Sequence, residues 1–231
     1  MRHFHEQLQD LFQLIVQMGT IAESMVRGAV DALVKRDESL TESVFEKETE
    51  VNRLQVEVDD KAVKLTALQQ PMAQDVRFLF MASRIGGELE RIADQAINIC
   101  QNAHHVLEAP PLPPLVDLPN MAGAAQKMVR DSLTAMIRRD VSLAAAVLED
   151  EKQVDALRTR IFHTLLDWMK RDPAAIEQAL SMILIARNLE RVGDHATNIA
   201  EEVIYWIQGR DVRHTKGALS NGHGQEKRET A

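Results

Sequence analysis

Glu90, Asp94 and Asn98 are spaced by four, and the same residue types recur 100 positions later as Glu190, Asp194 and Asn198. In a helix this spacing puts each set on one face, with about 40° between successive members. Carboxylates four apart repel, costing a helix roughly 0.2–0.5 kcal/mol, so a bound cation is one way to offset them. Oxygen donors suit hard or borderline ions such as Mg, Ca, Mn and Fe. An upstream segment supplies a second set in each half, Glu48 with Asn52 and Glu151 with Asp155. Two such sets on facing helices would make a four-ligand surface site in each half. The competing reading is a solvated helix face with Arg91 and Arg191 nearby. Because Glu, Arg, Asp and Asn recur while their surroundings drift, both readings stay in play.

Other chemistries find little support. The chain has eight histidines, but none completes the Glu-x-x-His pattern of a ferritin-like di-iron centre. It has no Walker-type loop, no Gly-x-Ser-x-Gly and no paired cysteines for zinc. His195 follows Asp194 but lies about 100° round the helix, so the spacing favours a polar contact over metal ligation. His104, His105 and His163 read as surface or satisfied interior histidines. Cys100 falls near an apolar face and reads as a small core residue. Gly86 and Gly87 interrupt a helical pattern, which suits close packing or a local kink. Met72, Met81, Met121 and Met128 suit a core or an adaptable partner surface.

The elements that must position the carboxylates are helices. Seventy residues precede the first proline, Pro71, and five of the seven prolines fall between Pro110 and Pro119. Leu8, Leu11, Phe12, Ile15, Met18, Ala22, Met25, Val26, Ala29 and Leu33 follow steps of three and four, the stripe of an amphipathic helix. Lys35-Arg36-Asp37 interrupts it, and a second stripe runs from Leu40 to Leu68. Pro71 is expected to open a third helix over about 72–104, its missing amide costing nothing there. Three more helices follow, over about 116–138, 142–170 and 173–208, with Gly209 as C-terminal cap. Arg138-Arg139-Asp140 repeats the first interruption at an offset of 103.

The repeat extends to residues. Leu89–Ile99 and Leu189–Ile199 agree at seven of eleven positions. Glu48-Thr49-Glu50-Val51-Asn52 pairs more weakly with Glu151-Lys152-Gln153-Val154-Asp155. A period this long means duplicated domains rather than a solenoid. The expected architecture is all-α: two tandem, pseudo-symmetric three-helix bundles built from six long antiparallel helices. The expected divisions are a first bundle over 1–108, a Pro-rich linker over 109–119, a second bundle over 120–209 and a flexible polar tail over 210–231.

Composition sets the broad class. The 231 residues carry 27 Lys and Arg against 35 Asp and Glu, a formal net charge of −8. That balance argues against a nucleic-acid binder, which would show a basic face. A single cysteine forms no internal disulfide, and no stretch approaches the roughly 20 apolar residues of a membrane span. The expected setting is cytoplasmic.

The whole pattern resembles the PhoU family of phosphate-transport regulatory proteins. The resemblance rests on Gln70-Pro71-Met72-Ala73-Gln74-Asp75-Val76-Arg77, on Leu89-Glu90-Arg91-Ile92-Ala93-Asp94, and on the run Leu189–Glu201. Glu151–Asp155 and the segment Gly209–His214 fit the same pattern. It implies repeated E(D)xxxD motifs, which in some members hold iron or zinc clusters on the bundle surface. Carried over by position, the metal candidates are Glu48, Glu90 and Asp94 in the first half, with Glu151, Asp155, Glu190 and Asp194 in the second. Asn52 departs from the motif, and its neutral amide implies weaker holding in the first half. The resemblance further implies a non-enzymatic negative regulator of the phosphate regulon. Its partners would be the ATPase of the phosphate ABC transporter and a membrane sensor histidine kinase of the PhoR type. It implies a homodimer, held at the membrane only through partners. A carboxylate metalloenzyme or metal-storage bundle is the alternative, and a purely structural helical module a third.

Overall fold

Among the described residues the long helices are six: α1 (Arg2–Lys35), α2 (Glu42–Gln69), α3 (Ala73–Glu108), α4 (Asp117–Arg138), α5 (Val141–Arg171) and α6 (Ile176–Gln208). This is a computed structural model that describes residues 2–69, 71–110 and 117–213. Short 3-10 turns, Glu38–Thr41 and Pro173–Ala175, precede α2 and α6. The middle of the expected linker and most of the expected tail lie outside the described residues.

The α1 stripe goes inward as its spacing demands. Leu11, Ile15, Met18, Ala22, Met25, Val26 and Ala29 are fully buried, each large side chain contributing about 1.5–3 kcal/mol on leaving water. α1, α2 and α3 pack together, as do α4, α5 and α6. The halves share one continuous core because α3 packs along α6 and α1 along α4. At the second contact the two backbones draw close: a Cβ on Gly19 of α1 would lie 2.6 Å from Leu133 Cδ2 of α4.

The duplicated turns match in detail. Arg36 and Arg139 both adopt left-handed backbone, with φ of 53° and 52°. The Asp37 N–H donates to the Ala32 carbonyl (3.0 Å), and the Asp140 N–H to that of Ala135 (2.9 Å). This six-to-one bond is the Schellman closure that usually takes glycine. Each Asp then caps the next element, Asp37 accepting from the Ser39 N–H and Asp140 from that of Leu143. Each Arg reaches the end of its half's last helix. Arg36 Nη2 donates to the carbonyls of Leu107 (2.9 Å) and Ala109 (2.6 Å), and the Arg139 guanidinium lies 4.7 Å over the Trp206 ring.

Three boundaries differ from the sequence reading. Pro71 precedes α3 instead of opening it, because Met72 is extended (ψ 160°) and serves as N-cap. Pro119 falls inside the first turn of α4, where no intrahelical amide is needed. Pro173 opens a 3-10 turn capped by Asp172, and α6 begins three residues later. Gly209 is the expected cap, with φ 66° and its N–H donating to the Tyr205 carbonyl at 2.8 Å. Gly86 is a packing glycine, its Cβ position 3.3 Å from Val58, whereas Gly87 faces open space. Met81, Met121 and Met128 are fully buried and Met72 is exposed.

Candidate functional site

The carboxylate stripes flank the crossing of α3 and α6. These helices run in opposite directions: Phe78 meets Trp206, Arg84 meets Glu202, Glu88 meets His195 and Asn198, and Val106 meets Gln178. Ile92 and Val192, both fully buried, fall midway along this register. An internal two-fold therefore passes through the centre of the pair, with Glu90 and Asp94 on one side and Glu190 and Asp194 on the other.

In the second half three carboxylates act on a fourth, Asp194. Burial pushes the Asp194 carboxyl above its usual range, and Glu190, Glu151 and Asp155 add to the rise, with His195 opposing. Glu190 also meets a cation, Arg158 of α5, at 3.3 Å. In the first half burial raises both Glu90 and Asp94. Asp94 adds to the rise at Glu90, while Arg91 and His195 oppose it, and His195 alone opposes it at Asp94. Glu48 is half-buried on α2 and is not among the groups acting on either. The structure thus brings Glu190, Glu151 and Asp155 within electrostatic reach of Asp194, and in the first half only the α3 pair act together. The oxygen-only donor set of the second face fits the chemistry of a hard cation. Among the described residues, however, no three His, Cys, Asp or Glu side chains stand close enough together to hold one.

The expected polar contact of His195 is made across the seam between the halves. Its Nδ1–H donates to Glu88 Oε2 at 2.8 Å, and Asn198 Nδ2 donates to the same oxygen at 2.9 Å. Arg91 Nη1 holds the other oxygen of Glu88 at 2.9 Å, so Arg91 neutralises Glu88 more closely than it does the stripe. Burial pushes the Glu88 carboxyl up, but these hydrogen bonds and the His195 and Arg91 charges outweigh it and hold the group below its usual range. Beside this contact lies a cleft of about 390 Å³ lined by Arg84, Arg91, Glu202 and Arg213. There the buried Glu202 accepts from Arg84 at 2.8 Å, with Arg213 at 3.8 Å. On the opposite side of the two-fold, Glu88 and His195 correspond to Asn188 and Gln95, buried neutral amides at 8% and 7% exposure. One side of the seam is charged and the other is not.

Glu88 and Glu202 are absent from the sequence reading. The available signal was the pair of substitutions within the repeat, Glu88 for Asn188 and His195 for Gln95, which place opposite charges at matching positions. His104 is at the surface between Glu38 (2.6 Å) and Glu108 (3.5 Å). Cys100 is in the core, and burial pushes its thiol up to about 12. Among the described residues no helix is long and apolar enough to cross a membrane.

An all-helical duplication with carboxylate faces either side of an antiparallel central pair defines a class of double three-helix bundle. The chain belongs to the PhoU family: the PhoU domain model matches residues 15–103 and 118–203. It is 36% identical over 230 residues to the Phosphate-specific transport system accessory protein PhoU homolog of Pseudomonas aeruginosa, covering 97% of this chain and 95% of that one. It is 32% identical over 214 residues to the Phosphate-specific transport system accessory protein PhoU of Escherichia coli (strain K12), covering 93% and 89%. The crystal structure of PhoU from Pseudomonas aeruginosa superposes with a TM-score of 0.87 at 35% identity, covering 90% of this chain and all of that one.

Proposed function

We propose that this protein is a non-enzymatic accessory of phosphate transport that restrains phosphate-starvation signalling when phosphate is plentiful. The observation that carries this reading is its likeness, over nearly the full length of both chains, to accessory proteins of phosphate-specific transport. In this reading it works in the cytoplasm as a homodimer and contacts the transporter's ATPase and a membrane sensor histidine kinase, favouring one of two states of its partners. A continuous core shared by both halves supports that role, since a load on one half is felt by the other. Deletion of the gene in its source cell is expected to switch on phosphate-starvation genes in phosphate-rich medium, with repression restored by the wild-type chain. Normal repression in the deletion strain overturns the reading.

A second reading is favoured by the rise of Asp194 under the charges of Glu190, Glu151 and Asp155. A divalent cation such as iron or zinc would have to draw these four side chains closer together than they stand, relieving their repulsion and competing with Arg158 for Glu190. The first-half candidates, Glu48, Glu90 and Asp94, would hold one less tightly. Metal content by mass spectrometry, on protein purified without tag or chelator, is expected to show a stoichiometric ion that Glu190→Ala/Asp194→Ala loses. Metal-free wild type overturns this second reading and leaves the first standing.

A further inference from the structure

The solvent face of α6 carries a seam that none of the described residues covers. Glu177, Leu180, Leu184, Arg187 and Arg191 are all exposed, Leu180 at 50% and Leu184 at 38%, and their steps of three, four, three and four follow a coiled-coil seam. Ile176 adds a further exposed apolar side chain at the N-terminal end. Neither Glu177 nor Arg187 has an ion-pair partner among the described residues. Acid stands at one end of the seam, leucines in the middle and arginines at the other end.

We propose that this face pairs with the same face of a second copy, the two α6 helices lying antiparallel about a two-fold axis between Leu180 and Leu184. This rests on the reading, given above, that the chain forms a homodimer. The seam is complementary to itself in that direction only. Each Leu180 then faces the partner's Leu184, and each Glu177 faces the partner's Arg187. A parallel arrangement would set Glu177 against Glu177 and Arg187 against Arg187, which repel. The contact is isologous, so it closes at two copies and leaves no open end for a filament.

A second feature receives the arginine. Beside Glu177 is a cleft of about 760 Å³ at the start of α6, lined also by Glu108 and Asp172. The partner's Arg187 would enter a site bounded by three carboxylates, where a planar guanidinium finds several acceptors at once. The duplicate face on α3 has no such property. It reads Arg77, Phe80, Arg84, Gly87 and Arg91, three cations and no acid, and Arg84 and Arg91 are held by Glu202 and Glu88. Self-complementarity is therefore particular to α6 and not inherited by both copies of the repeat.

Light scattering coupled to size exclusion, on the full chain near physiological salt, tests the pairing. Wild type is expected at twice the mass of one chain. L180E and R187E, with helicity checked by circular dichroism, are expected to raise the dimer dissociation constant at least about tenfold. The double swap E177R/R187E restores the ion pair in reversed sense and is expected to regain the dimer that R187E loses. Wild type at the mass of one chain overturns both the face and the homodimer reading. A dimer unmoved by L180E and R187E overturns the face and keeps the homodimer. Loss in R187E without recovery in the double swap overturns the antiparallel register.

Discussion

The Glu88 carboxylate on α3 receives the Nδ1–H of His195 on α6 at 2.8 Å, which ties the two halves across their seam. Asn198 and Arg91 complete the coordination of Glu88, so its removal leaves a histidine and an amide without their shared acceptor. Glu88→Ala is expected to cost about 1–3 kcal/mol at pH 7, the usual penalty for unpairing buried polar groups. A carboxyl held below its usual range contributes stability above the unfolded value of about 4.3, and loses it as pH falls through the folded value. The gap between wild type and Glu88→Gln should therefore narrow below pH 4. Urea denaturation at pH 7 and pH 3.5 measures both; an equal gap at the two values contradicts the assignment.

Asp194 has the opposite sign. Burial and the neighbouring Glu190, Glu151 and Asp155 push its carboxyl up, so the folded protein holds that proton more readily than the unfolded chain. Stability from this group is gained as pH falls through its folded value and is lacking above it. Asp194→Asn should be neutral or stabilising by about 0.2–0.5 kcal/mol at pH 7 without divalent ions, through relief of i,i+4 repulsion. Millimolar divalent metal should raise the melting temperature of wild type more than that of the variant, by mass action. A destabilised variant in chelator would count against the repulsion account.

Arg36 and Arg139 separate backbone cost from side-chain gain. A left-handed non-glycine residue costs roughly 1 kcal/mol, and glycine removes that cost. Arg139 recovers about 0.5–1 kcal/mol from Trp206, so Arg139→Gly should be near neutral while Arg139→Ala destabilises by about 1 kcal/mol more. Arg36 instead satisfies carbonyls at the end of α3, and Arg36→Gly should cost about 1 kcal/mol net. Thermal melts of the three variants give the order. If Arg139→Gly proves worse than Arg139→Ala, the left-handed argument fails.

Cys100 is in the α3 core with its thiol pushed up to about 12. Only the thiolate reacts, so an aromatic disulfide reagent at pH 8 should leave the folded protein untouched and react with one thiol per chain in denaturant. Rapid labelling of the native protein would show that α3 opens locally.

Much of the fold was legible in the sequence because long helices write their packing into steps of three and four. The buried face of α1 is the stripe from Leu11 to Ala29, and the repeat at offsets 100 and 103 gave the two bundles. Pro71 misled because its fixed φ suits both a helical first residue and the extended residue before a cap, and Met72 took the cap. Within the candidate site, the sequence reading placed Glu151, Asp155, Glu190 and Asp194 on facing helices, and Asp194 feels the charge of the other three. Glu48 shares its spacing with them, yet periodicity says nothing about how α2 is rotated against α3. Glu88 was missed for a different reason: its partner His195 is 107 positions away, and the paired substitutions in the repeat gain meaning only once the register of α3 on α6 makes them neighbours.

The exposed helix faces carry a last consequence. Two identical halves related by an internal two-fold would give a molecule whose ends are interchangeable, and a partner could dock in either orientation. Here one end shows Leu180 and Leu184, while its counterpart shows Phe80 and the Arg84 that grips Glu202. Divergence after duplication has made the two faces chemically unlike, so a surface that fits one does not fit the other.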